Sequence, residues 1–157
     1  MILFCENNKY AISVPLSKQL ACERVSDRAK GYGMPGVTVD GTDPIAVYVA
    51  VKEARARALR GEGPTLIEAE VERLVPHSSD DDDKAYRSVE ELADLKNRDG
   101  NQLFRKRLIE DGVMTEEELA EIEANVDREV NEATAYADKA PYASPESTMD
   151  HVYEGEM

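Results

Sequence analysis

The segment Val75–Arg87 holds the residue types most able to do chemistry in this chain. It contains His77, one of only two histidines, followed by two serines, a run of four aspartates and a Tyr-Arg pair. The donors of Arg73, His77, Tyr86 and Arg87 could hold a phosphate group, and the carboxylates could hold those donors in place. The alternative is a charged surface loop that binds no ligand, and residue types alone leave both interpretations open.

A second segment, at the start of the chain, places polar side chains directly after an apolar stretch. Residues 1–6 predict a buried strand, and Asn7-Asn8 follow it where an α/β sheet presents ligands at its carboxyl edge. Amide oxygens suit a hard cation such as Mg²⁺, which commonly shares its oxygen ligands with a phosphate. Asparagine is also a frequent turn residue, so a plain turn is the competing interpretation.

The elements that must position these segments alternate along the chain. Strands are predicted at residues 1–6, 36–40 and 64–73, with a loop leading into a helix at 17–31. A second helix should begin at Asp43-Pro44, with Asp43 as N-cap, and run to about Arg60. This order predicts an α/β fold, a partial parallel sheet with flanking helices. The predicted packing face of the second helix consists of Ile45, Tyr48, Val49, Lys52 and Ala56.

From Ser88 onward the pattern predicts helices followed by an extended tail. Capping-box sequences occur at Ser88–Glu91 and Thr115–Glu118. Two helices are expected at 101–111 and 115–138, joined at Gly112, and the tail from Ala140 should be extended. We therefore divide the chain into an α/β part, 1–87, and a helical region with its tail, 88–157.

Composition narrows the class of protein. Hydrophobic residues make up 41% and charged residues 33% of the 157 residues, and the formal net charge is −14. An acidic surface argues against nucleic acid and against anionic membranes as partners. Cys5, expected as a buried strand thiol, and Cys22, expected on a helix, are too few for a disulfide framework. No apolar run approaches the ~20 residues of a membrane span, and we expect a cytoplasmic protein.

Taken together, the motifs resemble a known family. The chain is similar to the alpha subunit of the thiamine-diphosphate-dependent component of 2-oxo acid dehydrogenase complexes, and most similar to the branched-chain (2-oxoisovalerate) type. Asn7-Asn8 looks like the closing half of the family's thiamine-diphosphate motif, and the His-Ser-Ser run with its aspartates favours the branched-chain type over pyruvate. The likeness continues through Gly31–Met34, Val39–Gly41, Lys52–Arg55, His77–Arg87 and Asp150–Tyr153.

The resemblance implies roles for individual residues. Asn8 would bind Mg²⁺ through its side-chain oxygen and Tyr10 through its backbone carbonyl, whereas Asn7 would fix the turn. His77 would lie beside the diphosphate of the cofactor, as a phosphate donor and as a proton donor during acyl transfer to lipoamide.

The same resemblance implies an ordering network for the loop that carries His77. Its expected members are Arg73, Ser78, Asp81, Tyr86 and Arg87, with Asp81 accepting hydrogen bonds from an arginine. Ser78 resembles the regulatory phosphorylation serine of mitochondrial relatives, and we interpret it here as a hydroxyl that orders the loop.

The sequence also departs from the family pattern, because it contains no Gly-Asp-Gly. That motif supplies the principal metal-binding carboxylate, so we expect this chain to be the C-terminal half of an alpha subunit. The partners implied are the missing N-terminal half, a beta subunit in an alpha2beta2 heterotetramer and the lipoyl acyltransferase core. The alternatives are a pyruvate or acetoin dehydrogenase alpha subunit, or a remnant without catalytic activity.

Overall fold

The computed structural model describes residues 1–152. The chain divides into two compact units, Met1–Val113 and Met114–Met157. The division into functional parts after Arg87 stays a prediction. No helix of the described residues is long and apolar enough to cross a membrane.

The first unit is built on a parallel sheet of three strands, and this confirms the predicted α/β class. Strand β1 (Ile2–Asn7) and strand β4 (Gly36–Asp40) flank the central strand β5 (Thr65–Glu70). Both pairings are parallel, and they align Asn7 and Asp40 with Glu70. The three strands therefore end at the same edge of the sheet. Burial is greatest on β5, where Ile67 and Glu68 are fully buried.

A short hairpin and two helical segments connect β1 with β4. Strands β2 (Tyr10–Ala11) and β3 (Val14–Pro15) form the hairpin, and helix α1 (Leu16–Gln19) follows it. A 3-10 helix then spans Val25–Tyr32. The predicted loop leading into a helix at 17–31 is observed as these two helical segments with a bend between them, and Cys22, which was expected on a helix, lies in that bend. Cys5 lies on β1 as predicted but is only half-buried.

Helix α2 (Pro44–Leu59) begins as the sequence predicts. The Asp43 side chain accepts hydrogen bonds from the backbone N–H groups of Ile45 and Ala46, with Pro44 in the first turn. The predicted packing face is wrong, because Ile45, Tyr48 and Val49 are exposed, whereas Ala54 is buried.

Four further helical segments complete the first unit: a 3-10 helix (Asp83–Ala85), α3 (Val89–Asp94), another 3-10 helix (Leu95–Arg98) and α4 (Gly100–Glu110). The Ser88 side chain accepts from the Glu91 N–H, but the Glu91 carboxylate bonds elsewhere, so only half of that capping box forms. The predicted strand at 64–73 is too long, since β5 ends at Glu70, where both neighbouring strands end.

The second unit is dominated by helix α5 (Glu116–Lys139). Both bonds of its predicted capping box are present, between Thr115 and Glu118. The tail is not wholly extended, because a 3-10 helix spans Pro145–Met149. The end of the terminal motif, Tyr153, lies outside the described residues.

Candidate functional site

The two segments singled out by the sequence leave the sheet at the same edge. Asn7 ends β1 and Glu70 ends β5, and these residues are paired in register. The Asn-Asn turn continues from β1, and the segment that carries Arg73 and His77 continues from β5. Parallel strands present ligands at this carboxyl edge, so the fold places both segments where an α/β sheet builds its sites.

The Asn-Asn turn is held by its own side chains. Asn7 is buried, its Nδ2 donates to Glu68 Oε1 at 2.6 Å, and its Oδ1 accepts the Lys9 N–H at 2.9 Å. Asn8 Oδ1 accepts the Tyr10 N–H at 3.1 Å. Lys9 adopts a left-handed conformation with φ of 68°, which turns the chain sharply. The turn is thus fixed from the sheet outward.

The Tyr10 side chain packs against two arginines and a second tyrosine. Its ring centroid lies 5.7 Å from that of Tyr86, 5.1 Å from the Arg73 guanidinium and 5.3 Å from that of Arg87. Its hydroxyl donates to the Glu91 carboxylate at 3.0 Å. Burial and the hydrogen bond to Glu91 raise the pKa of Tyr10 above its usual value. The side chain is therefore structural, and this leaves the backbone of Tyr10 as the group that could bind a ligand.

The Tyr10 carbonyl fits the role of a neutral metal ligand. Tyr10 is paired across the hairpin with Pro15, which has no N–H, and the N–H of Leu16 goes to the Lys9 carbonyl at 2.8 Å. Neither residue can therefore donate to the Tyr10 carbonyl. Asn8 Oδ1 keeps a lone pair beside its bond to the Tyr10 N–H. A cavity of about 730 Å³ is lined by Asn8, Lys9 and Tyr10.

These two oxygens could supply only part of a Mg²⁺ site. Mg²⁺ needs near-octahedral oxygen coordination and is usually held through one or two carboxylates together with phosphates. Among residues 1–152 there is no group of three or more His, Cys, Asp or Glu placed to hold a metal ion. Asn8 and Tyr10 fit as neutral ligands, and neither of them supplies a carboxylate.

The His77 loop is held by a chain of hydrogen bonds that runs through a tyrosine hydroxyl. Arg73 Nη2 donates to the Tyr86 hydroxyl at 2.6 Å, and that hydroxyl donates to Asp81 Oδ2 at 2.5 Å. Asp81 Oδ2 also accepts the His77 N–H at 2.9 Å. Asp81 was expected to accept a hydrogen bond directly from an arginine, but in the structure the Tyr86 hydroxyl lies between Arg73 and Asp81. Hydrogen bonds from the Tyr86 hydroxyl and the His77 N–H lower the pKa of Asp81, while burial and the bond to Asp81 raise the pKa of Tyr86.

Arg87 forms a second, buried part of the same arrangement. Its side chain is 1% exposed, and it donates to the Arg73 carbonyl at 2.9 Å and to Glu91 Oε1 at 2.9 Å. Its Nη1 also lies 3.5 Å from Asp83 Oδ2. Hydrogen bonds made by side chains thus join four of the five predicted ordering residues to one another and link the loop to helix α3.

His77 and Ser78 lie at the exposed end of the loop. Both residues are exposed, and Ser78 contributes its backbone carbonyl, which accepts the Asp81 N–H at 3.2 Å. The predicted ordering role of the Ser78 hydroxyl stays a prediction. Because the His77 backbone is fixed by Asp81 while its imidazole is exposed, the histidine is presented outward from an ordered loop.

Sequence reasoning missed the roles that three acidic residues, Asp83, Glu91 and Glu68, have in this region. Asp83, Arg87 and Glu91 follow one another at a spacing of four residues, and such spacing could have indicated the ion pairs that Arg87 makes in both directions. Glu68 is the third: a carboxylate between the apolar residues Ile67 and Ala69 of a central strand needs a hydrogen-bonding partner when it is buried.

Comparison with known proteins agrees with the resemblance stated from the motifs. Residues 1–146 match the family described as dehydrogenase E1 component. The 2-oxoisovalerate dehydrogenase subunit alpha of Bacillus subtilis (strain 168) is 58% identical over 153 residues, which cover 98% of this chain and 46% of that relative. Pyruvate dehydrogenase E1 component subunit alpha of Staphylococcus aureus (strain Mu50) and of Bacillus subtilis (strain 168) are each 41% identical over 154 residues, covering 98% of this chain and 42% of each relative. The chain spans less than half the length of these relatives. With a family match over most of its length, the chain belongs to the dehydrogenase E1 component family.

Proposed function

We propose that this chain is part of the alpha subunit of a thiamine-diphosphate-dependent 2-oxo acid dehydrogenase of the 2-oxoisovalerate type. The observation that carries the proposal is the 58% identity to a 2-oxoisovalerate dehydrogenase alpha subunit across 98% of the chain. The reaction would be the oxidative decarboxylation of a branched-chain 2-oxo acid with acyl transfer to lipoamide. Pyruvate remains the second candidate substrate, supported by the relatives at 41% identity.

The residues of the turn would hold the metal that anchors the cofactor. Asn8 Oδ1 and the Tyr10 carbonyl would be two ligands of Mg²⁺, and the ion would share the diphosphate oxygens. Thiamine diphosphate, when bound, supplies the carbanion chemistry, whereas the protein supplies position and electrostatics. The sequence contains no Gly-Asp-Gly, so we infer that the carboxylate of the site comes from the N-terminal half of the alpha subunit.

The loop after β5 would place a proton donor at the cofactor. His77 is exposed while its backbone is tied to Asp81, which suits a group that must meet a ligand without reorganising the loop. We assign it hydrogen bonding to the diphosphate and proton donation during acyl transfer. Arg73, Tyr86 and Arg87 would keep the loop in its binding conformation, and Ser78 would assist them.

Completion of the site would require other chains. The partners we infer are the N-terminal half of the alpha subunit, a beta subunit in an alpha2beta2 heterotetramer and the lipoyl acyltransferase core. The net charge of −14 supports neither nucleic acid nor an anionic membrane as a partner. A cytoplasmic location is inferred with the same assembly.

Calorimetry of thiamine diphosphate binding, with and without Mg²⁺, tests this proposal. The chain alone should bind the cofactor weakly or not at all, and the chain assembled with the N-terminal half and the beta subunit should bind it in a Mg²⁺-dependent manner. Turnover of 2-oxoisovalerate should then exceed that of pyruvate in kcat/KM. Tight Mg²⁺-dependent binding by the chain alone would refute the proposal that the cofactor site needs residues of other chains. A preference for pyruvate would refute the assignment of 2-oxoisovalerate as the substrate.

A further inference from the structure

Glu68 is a buried carboxylate that the proposed chemistry does not use. It lies at the middle of the central strand β5 and its residue is fully buried. Burying an ion this completely is costly unless its lone pairs are satisfied. It lies two residues before the end of β5, at the sheet edge from which the Asn-Asn turn also leaves.

The hydrogen bonds of Glu68 divide cleanly between its two oxygens. Oε2 accepts the Ser26 N–H at 2.9 Å and the Thr38 hydroxyl at 3.1 Å. Oε1 accepts the Asn7 amide at 2.6 Å. Burial by itself would raise the pKa of Glu68, but hydrogen bonds from Ser26, Asn7, Val25 and Thr38 outweigh it and lower the pKa below its usual value. The carboxylate is thus an acceptor on both sides, and these neighbours are all neutral.

The bond to Asn7 decides how that amide is oriented. Because Glu68 can only accept, Asn7 must direct its NH₂ toward the strand and its Oδ1 toward the turn, where it accepts the Lys9 N–H at 2.9 Å. Lys9 has φ of 68°, a conformation that a lysine adopts only when its surroundings impose it. The orientation of Asn7 therefore fixes the strained residue that separates Asn8 from Tyr10.

We propose that Glu68 is a positioning residue for the cation site, acting through Asn7 and Lys9 to hold the Asn8 side-chain oxygen and the Tyr10 carbonyl in place. The inference rests on the proposed function as far as the cation is concerned. The claim that Glu68 orients the Asn7 amide and so holds the turn rests on the hydrogen bonds alone. Groups of this kind, one step removed from the ligands, commonly change metal affinity roughly 10- to 100-fold when they are altered.

Glu68→Gln isolates this contact, because it preserves the size of the side chain. The new amide keeps its oxygen toward Ser26 and Thr38, because the reverse orientation would oppose its NH₂ to the Ser26 N–H. Its NH₂ then faces the NH₂ of Asn7. If Asn7 rotates its amide to relieve that clash, its NH₂ faces the Lys9 N–H instead. Either arrangement leaves one pair of donors opposed, so the turn should loosen.

Asn7→Asp combined with Glu68→Gln provides the matched rescue. The new carboxylate can accept from the new amide through one oxygen and from the Lys9 N–H through the other. Asn7→Asp alone adds the same charge near the cation but opposes two carboxylates, so it controls for the effect of charge on metal affinity.

Two measurements on the chain assembled with the rest of the alpha subunit and the beta subunit test the proposal. The first is hydrogen exchange at the Lys9 amide without metal or cofactor, and the second is the Mg²⁺ dependence of thiamine diphosphate binding by calorimetry. Glu68→Gln should speed Lys9 exchange roughly 5- to 100-fold and weaken Mg²⁺ binding roughly 10- to 100-fold. The double variant should restore the protection of Lys9 and bind Mg²⁺ more tightly than either single variant.

The outcomes separate this inference from the proposed function. If the unaltered assembly binds Mg²⁺ and Glu68→Gln changes neither measurement, the role of Glu68 is refuted and the proposed function stands. If exchange changes but Mg²⁺ affinity does not, Glu68 holds the turn without positioning ligands, and the proposal is again refuted. If the unaltered assembly shows no Mg²⁺-dependent binding, the proposed function fails, and the cation part of this inference fails with it.

Discussion

Replacing Arg87 with methionine should destabilise the first unit more than any exposed arginine does. The substitution keeps most of the side-chain volume and removes the guanidinium, which donates to the Arg73 carbonyl and to Glu91, each at 2.9 Å. It also removes the charge that lies 5.3 Å from the Tyr10 ring. The Asp83 carboxylate, whose side chain is 11% exposed, loses its cationic neighbour.

The magnitude follows from what is left behind. Removing one partner of a buried ion pair commonly costs about 3–5 kcal/mol, because the other charge stays buried. Glu91 is 28% exposed and keeps its bond from Tyr10, so water and the tyrosine offset part of that cost. We therefore expect a loss of about 3 kcal/mol in the free energy of unfolding. With an unfolding entropy of about 2.1 cal/mol/K per residue, a unit of this size should melt roughly 12 °C lower.

Thermal unfolding of the whole chain, followed by far-ultraviolet circular dichroism, measures this change. Arg55→Met is the matched control, since Arg55 is an exposed residue of helix α2 and should change stability by less than about 0.5 kcal/mol. Arg87→Lys should fall between the two, because it keeps the charge but loses the planar fork of donors. Equal melting temperatures for Arg87→Met and Arg55→Met would refute the interpretation of Arg87 as a structural centre of the loop.

Two further predictions concern the loop itself. Because hydrogen bonds from Tyr86 and His77 lower the pKa of Asp81, this carboxylate stabilises the fold fully above the usual aspartate pKa of about 3.9, and the contribution is lost as pH falls through its lowered value. Carbon NMR titration should show that the midpoint of Asp81 lies below about 3.9. The midpoint should move upward in Tyr86→Phe but not in the control Tyr32→Phe, because Tyr32 is exposed. An unshifted midpoint in Tyr86→Phe would refute the hydrogen-bond bridge through the Tyr86 hydroxyl. His77→Ala in the completed enzyme should lower the rate of acyl transfer to lipoamide roughly 100-fold or more, whereas Ser79→Ala in the same loop should not, and unchanged turnover in the histidine variant would exclude His77 from the mechanism.

Local sequence signals predicted the elements that local interactions determine. Strand β4 was predicted at residues 36–40 and is observed there, and the N-cap of helix α2 was predicted at Asp43. The capping box at Thr115–Glu118 forms with both of its bonds. In each case the residues that determine the boundary of the element lie within a few positions of it, so the local sequence is enough to predict that boundary.

The errors arose where a distant residue competes for a local partner. The capping box at Ser88–Glu91 is half formed, because Tyr10, which is 81 positions away, and Arg87 take the Glu91 carboxylate. Strand β5 stops at Glu70 rather than at residue 73, since its neighbours turn away there. The four-residue spacing of Arg87 and Glu91 is local, but neither the bond from Tyr10 nor the end of β5 can be read from the spacing of nearby residues.

The same distinction explains how much of the candidate site could be predicted. The family motifs identified the Asn-Asn turn and the His77 loop, and the fold brings both to one edge of the sheet. The motifs did not identify Glu68, because its role depends on three contacts from separate segments: Asn7, Ser26 and Thr38. Each contact is an ordinary hydrogen bond, and only their convergence on one buried carboxylate gives the turn a fixed orientation. A buried group that can only accept hydrogen bonds fixes the orientation of a neighbouring amide. In this chain Glu68 fixes the Asn7 amide in this way, and Asn7 holds the turn that carries the oxygens of the proposed cation site.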